Sequence, residues 1–147
     1  MSVLIHGGRI WSAVSGQAPV EMSILVEQEK IKALYQPEES IDALTNAERI
    51  DASGKTLIPG LINAHTHITF DARSPEPVET MLKDGPHITL IKAIRAAKEY
   101  IRSGVTTIRD LGATDGIDLA LRNAIAGGLV AGPRMLVSGK CLCMTGG

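Results

Sequence analysis

One apolar stretch that ends in two histidines decides how this chain folds: Leu57-Ile58-Pro59-Gly60-Leu61-Ile62-Asn63-Ala64-His65-Thr66-His67. An apolar run of this kind predicts a strand buried on both faces. Side chains alternate between the faces of a strand, so we expect the rings of His65 and His67 on one side and Thr66 on the other. Two neutral imidazoles on one rigid strand suit Zn²⁺ and related ions. The stretch therefore predicts a metal site, and the alternative is two partly exposed histidines in a loop.

The chain beyond the histidines alternates loop, helix and strand signals. Residues 71–80 are rich in Pro and Glu and predict a loop, and Asp84-Gly85-Pro86 predicts a helix start. Apolar residues then recur at helical spacing until Gly104, which predicts a left-handed cap. A β-branched strand over residues 105–108 and a helix from Asp115-Gly116 to Gly127-Gly128 follow. This order predicts a parallel α/β arrangement and not a helical bundle.

The first part of the chain reads as short strands. Strands are predicted near residues 3–5, 9–11, 24–26, 31–34 and 49–52, with turn signals at Gly7-Gly8 and around Gln28-Glu29. Residues 1–56 are therefore expected to form a small β module. His6 lies within it, and we expect a solvated or hydrogen-bonded strand residue there and not a metal ligand.

Three stretches, in order, resemble the metal-dependent amidohydrolase superfamily. Residues 57–67 look like its first barrel strand, and residues 104–112 resemble the second strand of its imidazolonepropionase-like and prolidase-like members. Residues 132–139, running on to Thr145-Gly146-Gly147, resemble the third strand and its loop. The resemblance implies an α/β fold: the first three strand-helix units of a TIM-like (β/α)8 barrel over residues 57–147, preceded by part of a small β-sandwich over residues 1–56.

The chain is shorter than such a barrel. A complete barrel takes roughly 250 residues, whereas this sequence has 147. In the superfamily the other metal ligands come from later strands: a carboxylated lysine or a glutamate, two histidines and an aspartate that also serves as general base. The general base is thus expected outside this chain, and we expect the isolated 147 residues to be inactive.

The resemblance implies a hydrolase of amide, peptide-like or cyclic C–N bonds that uses a metal-activated water. His65 and His67 would bind one of one or two divalent ions, most often zinc, and the substrate would be a small amide or dipeptide-like molecule. Residues 132–134 and the ending Thr145-Gly146-Gly147 resemble the prolidase-like branch and favour it slightly. The alternative is an inactive protein of the same ancestry with a structural or interaction role. Either one should associate through the open barrel edge, with the missing C-terminal portion or with itself.

Composition favours a cytoplasmic globular protein. Apolar residues make up 44% of the chain and the net charge is −1, which gives no reason to expect nucleic acid or an anionic membrane as a partner. No apolar segment approaches the ~20 residues that span a bilayer, and the chain start does not resemble a signal peptide. Cys141 and Cys143 are too close together for a useful disulfide loop, so we expect reduced thiols.

The other candidate residues have weaker signals. Asp110 should lie at the carboxyl end of a barrel strand, where a carboxylate more often bonds loop amides or an arginine than a metal. Arg109 and Arg134 could meet such carboxylates or a substrate. His87 is expected at the surface near a helix start. Gly54-Lys55-Thr56 imitates a phosphate loop, but the glycine expected at position 49 is replaced by arginine.

Overall fold

The computed structural model describes residues 2–37, 39 and 46–145, which divide into two compact units between Pro59 and Gly60. The elements, in chain order, are β1 (Ser2–His6), β2 (Arg9–Ile10), β3 (Val20–Glu21), β4 (Ser23–Glu27), β5 (Lys30–Tyr35), β6 (Glu48–Asp51), β7 (Thr56–Leu57), β8 (Leu61–Thr66), α1 (Pro77–Arg102), β9 (Val105–Asp110), α2 (Ile117–Ala126) and β10 (Arg134–Val137). The expected end of the third loop at Gly146 and Gly147 lies outside the described residues.

The first unit contains two small sheets. One has the order β5-β4-β1-β6 and the other has the order β3-β2-β7. The predicted hairpin between β4 and β5 is confirmed, because Gln28 and Glu29 both take positive φ, at 50° and 63°, as a tight two-residue turn requires. Leu4, at the middle of β1, is fully buried. Thr56 enters a strand and not a helix, which agrees with rejecting a phosphate loop there.

The second unit is a parallel three-stranded sheet with two connecting helices. Its order is β10-β9-β8, so the predicted strand-helix-strand-helix-strand sequence is confirmed. Of the third predicted strand-helix unit, the described part of the chain contains only the strand, β10. A core between sheet and helices is formed by Ile68, Ala93, Ala97, Ile108, Ile117, Leu121 and Met135. Neither described helix has the combination of length and apolar character needed to span a bilayer.

The strand expected through residues 57–67 is interrupted. Leu57 pairs with Ile10 as part of β7 in the first unit, and β8 begins only at Leu61. Pro59 lies between them and lacks the N–H that a continuous ladder requires. The observed division of the chain therefore falls three residues after the predicted one at 56/57.

The expectation that this strand is buried on both faces was wrong. Leu61 is 50% exposed and Ile62 is 70% exposed, although their side chains alternate along β8. The reason is position: β8 is the edge of its sheet and pairs only with β9 among the described strands. An apolar run shows that a strand is suited to burial, but its burial depends on whether other elements pack against it.

The first long helix contains the predicted start and extends further toward the N-terminus than expected. The helix begins at Pro77, so the predicted loop over residues 71–80 is shortened at its end. Pro77 occupies a first-turn position and Glu79 supplies an acidic first-turn side chain, both of which favour a helix start. Gly85, with φ 69° and ψ 175°, breaks the helix immediately before Pro86. The signal at residues 84–86 therefore marks a real boundary, but a boundary inside α1.

Candidate functional site

Two histidine rings meet where the first parallel strand ends. His65 is the penultimate residue of β8, and His67 is the first residue after that strand. Their ring centroids are 5.5 Å apart, in an edge-to-face arrangement. His65 is exposed and His67 is partly buried. The rings therefore lie close together, as the alternation of strand side chains predicts.

The His67 ring is held on two sides. Its Nδ1 lies 3.0 Å from the carbonyl oxygen of Gly112, and its face stacks on Phe70 with centroids 5.0 Å apart. A carbonyl oxygen only accepts hydrogen bonds, so this contact assigns the ring proton to Nδ1. The lone pair of the neutral ring then lies on Nε2, the nitrogen that remains for a metal or another acid.

Asp110 is a fully buried carboxylate at the end of β9. One oxygen accepts from the backbone N–H of Ile68 at 2.5 Å and lies 3.4 Å from the Thr66 hydroxyl, which is closer to the Arg109 carbonyl at 3.1 Å. The other accepts from the N–H of Gly112 at 3.2 Å. The prediction that this carboxylate bonds loop amides is confirmed. Burial raises the pKa of Asp110, against the lowering effect of the two amide hydrogen bonds; nearby Asp118 also raises it and His67 lowers it.

Gly112 allows the loops after β9 and β10 to approach each other closely. Its φ is +146°, and a Cβ built there would overlap the Cys141 sulfur and lie 2.8 Å from the Cys141 Cα. Cys141 and Cys143 are both exposed, and no disulfide joins these two described residues. The close approach means that no side chain larger than hydrogen fits at position 112 without moving the loop.

A second buried carboxylate ties the loop after β10 to α2. Asp118 is fully buried and accepts from the N–H groups of Leu119 and Gly139, each at 2.8 Å. The Gly139 carbonyl in turn accepts from Ala113 at 2.8 Å. Sequence analysis missed both Asp118 and Gly112. The only signals available were an acidic residue in the first turn of a helix and a glycine just after a strand.

The remaining candidates do not join the histidine pair through any described contact. Arg109 donates from Nε to the carbonyl oxygen of Ala64 at 2.7 Å and does not pair with Asp110. Arg134 is exposed on β10 and His87 is exposed on α1. His6 lies in β1 of the first unit.

A cavity of about 340 Å³ lies beside His67, between the loop after β8 and α1. Asp71, on its wall, is bonded by Lys92 at 3.5 Å and by Arg95 at 3.3 Å. The Arg73 N–H bond and these cations hold the pKa of the Asp71 carboxyl below its usual value, although partial burial acts in the opposite direction. The cavity also borders Thr69, whose hydroxyl is buried and has no hydrogen-bond partner among the described residues.

The two imidazoles are the candidate metal ligands in the described part of the chain. Within residues 2–37, 39 and 46–145, no group of three or more His, Cys, Asp or Glu side chains is arranged to hold an ion. A catalytic zinc site typically takes three protein ligands and a water. The donor chemistry of His65 and His67, with Nε2 of His67 available, fits part of such a site.

Comparison of the sequence with known protein families identifies one match. Residues 56–145 match the Amidohydrolase family. The 5-methylthioadenosine/S-adenosylhomocysteine deaminase of Teredinibacter turnerae is 33% identical over 57% of this chain and 20% of its own length. The imidazolonepropionase of Geobacillus kaustophilus is 33% identical over 70% of this chain and 30% of its own length.

Solved structures agree with this result. An Xaa-Pro dipeptidase with bound methionine in its active site superimposes with a TM-score of 0.84 at 29% identity, covering all of this chain and 35% of that one. A putative prolidase from Bifidobacterium longum gives 0.76 at 26% identity, covering 99% and 34%. The chain thus spans between a fifth and about a third of the length of these relatives. The predicted resemblance to imidazolonepropionase-like and prolidase-like proteins is confirmed.

Proposed function

This chain belongs to the amidohydrolase family, and from that premise we propose that it supplies part of the active site of a metal-dependent hydrolase of amide, peptide-like or cyclic C–N bonds. The observation that carries the proposal is the pair of His65 and His67, with ring centroids 5.5 Å apart at the carboxyl end of the first parallel strand. Active sites of α/β barrels lie at this end of the strands.

In the proposed site, His65 and His67 bind one of one or two divalent ions, and Zn²⁺ suits their nitrogen donors best. A bound zinc ion lowers the pKa of a water molecule and polarises a carbonyl group. His67 presents Nε2, because its Nδ1–H is donated to Gly112. Phe70 covers one face of the ring and limits its rotation.

The rest of the proposed site comes from further barrel strands, in a longer polypeptide or a separate one. Two imidazoles leave at least one ligand and the general base to be supplied. One edge of β8 has no partner among the described strands, and this edge, with exposed Leu61 and Ile62, is a surface that such strands would cover. We propose a TIM-like (β/α)8 barrel as the completed fold.

A small dipeptide-like amide is the substrate class we favour. The prolidase-like sequence at residues 132–134 supports it, and so does the fold similarity to an Xaa-Pro dipeptidase. A second candidate is a non-catalytic interaction protein. The observation that favours this candidate is the same exposed apolar edge of β8, which would pair with a partner strand whether or not chemistry follows.

Zinc binding tests the ligand assignment. We expect His65→Ala and His67→Ala each to weaken Zn²⁺ binding at least tenfold in calorimetric titration, because each removes one of two imidazole donors. His87→Ala is the matched control, since it removes an exposed histidine of the same unit, and it should bind as the unchanged chain does. Equal zinc affinity in all four proteins would refute the assignment.

Hydrolysis assays separate the two candidate functions. Xaa-Pro dipeptides should be cleaved when the chain is combined with a polypeptide that carries the remaining barrel strands, and they should not be cleaved by the 147 residues alone. Full activity of the isolated chain would refute the proposal that its site is incomplete. Association without zinc binding or hydrolysis would favour the interaction protein.

A further inference from the structure

The orientation of His67 depends on a loop from another strand. The ring follows β8, but its Nδ1–H is donated to Gly112, 45 residues further along the chain. The Gly112 carbonyl can accept this hydrogen bond only if the loop after β9 stays at a fixed distance from the backbone of residues 66–68. Thr66, Ile68 and Gly112 are all buried, and a backbone hydrogen bond of 2.9 Å from the N–H of Leu111 to the Thr66 carbonyl already joins the two segments before the histidine.

One side chain adds a connection on the other side of the histidine and reaches Gly112 itself. The Asp110 carboxylate accepts from Ile68, the residue directly after His67, and from Gly112, the residue that receives the ring proton. Each bond uses a different carboxylate oxygen. The Thr66 hydroxyl, directly before His67, is 3.4 Å from the first of these oxygens. Asp110 therefore contacts the backbone or side chain on both sides of the histidine as well as its acceptor.

We infer that Asp110 is a positioning residue for His67: it ties the backbone around the ring to Gly112 and so keeps the proton on Nδ1 and the lone pair on Nε2. Only the use of that lone pair by a metal rests on the proposed function. Bonds from amides to an ionised carboxylate are stronger than neutral ones, and they are well shielded here because the side chain is fully buried.

The need for two acceptors explains why asparagine would not replace this aspartate. An amide side chain has one acceptor oxygen and one NH₂ group. In Asp110→Asn, the NH₂ group would face the N–H of either Ile68 or Gly112, and one of the two bonds would become a clash between donors. The substitution keeps the size of the side chain, and it removes the negative charge together with the ability to connect the two loops.

The test is the tautomer of His67, measured by nitrogen-15 NMR of protein labelled at histidine. In the unchanged chain we expect the His67 signals of a proton fixed on Nδ1. In Asp110→Asn we expect loss of that fixed state, with averaging between the two ring nitrogens. Asp118→Asn is the matched control, because Asp118 is equally buried but bonds Leu119 and Gly139. It should retain the signature of the unchanged chain.

Three results would overturn the inference: retention of the Nδ1 tautomer in Asp110→Asn, its loss in both variants alike, or its absence from the unchanged chain. If Asp110→Asn does not fold, hydrogen exchange in the unchanged chain decides. The amides of Ile68 and Gly112 should both exchange slowly, and rapid exchange at either one would overturn the proposed connection.

Zinc provides a second readout. Loss of a group that orients a ligand typically costs about 10- to 100-fold in metal affinity, so we expect that loss in Asp110→Asn and little change in Asp118→Asn. If neither histidine substitution changes zinc affinity but the His67 tautomer depends on Asp110, the ligand assignment fails and the positioning role stands. If both histidine substitutions weaken zinc binding but the His67 tautomer is unchanged in Asp110→Asn, the ligand assignment stands and the positioning role fails.

Discussion

The Nδ1 atom of His67 lies 3.0 Å from the carbonyl oxygen of Gly112, so a ring at the end of β8 is held by the loop that follows β9. The same glycine donates its N–H to Asp110. Its φ of +146° and its close approach to Cys141 are both conditions that favour glycine. The geometry around the candidate ligand therefore depends on a residue with no side chain.

Gly112→Ala should destabilise the second unit strongly. The added Cβ would overlap Cys141 and would also force a backbone conformation that L-residues avoid. Together these effects are expected to lower the free energy of unfolding by about 2–5 kcal/mol. Urea denaturation followed by circular dichroism measures the change.

Gly128→Ala is the control for the backbone effect alone. Gly128 also has positive φ, +72°, but a Cβ there meets nothing within 4 Å. A loss of about 1 kcal/mol is expected for a residue forced into that region. Equal losses in the two variants would mean that the contact with Cys141 adds nothing.

Local signals predicted much of the fold. The turn at Gln28-Glu29, the cap at Gly104 and the second helix between Gly116 and Gly127 all appear where the sequence places them. Each depends on a few neighbouring residues whose conformational preferences agree. The proximity of His65 and His67 was predictable for the same reason, because strand alternation is local.

Features that depend on distant residues could not be predicted. The register that sets Thr66 opposite Asp110 includes two irregularities between β8 and β9, and no sequence rule locates them. The contact between His67 and Gly112 follows from that register. Exposure of β8 was missed for a related reason, since burial depends on which elements lie beside a strand.

Asp71→Asn should make the chain less stable at neutral pH than at low pH, relative to the unchanged protein. The pKa of Asp71 is lowered from 3.8 in the folded chain, so its carboxylate contributes stability above the unfolded value. That contribution is lost as pH falls through the folded pKa. The stability difference between the two proteins should therefore be full above about pH 5 and shrink toward pH 2.

Glu79→Gln serves as the comparison for this pH series. Glu79 pairs with Lys83 four residues away, and both side chains are more than half exposed. An exposed pair of this kind contributes little, so its stability difference should stay small at every pH. A flat difference for Asp71→Asn as well would contradict the role assigned to its cationic neighbours.

Thr69→Val should stabilise the chain. The Thr69 residue is only 4% exposed, and its hydroxyl has no hydrogen-bond partner in the described part of the chain. Valine has nearly the same shape without the polar atom, so its substitution removes the cost of burying an unpaired hydroxyl, about 1 kcal/mol. Thr89→Val is the matched control, because Thr89 is equally buried but donates to the Met81 carbonyl across the break at Gly85. We expect Thr89→Val to lower the free energy of unfolding by about 0.5–1.5 kcal/mol.

Thermal unfolding measures both changes, and the melting temperatures of the two variants should shift in opposite directions. A lower melting temperature for Thr69→Val would show that the hydroxyl has a partner, such as water in the neighbouring cavity.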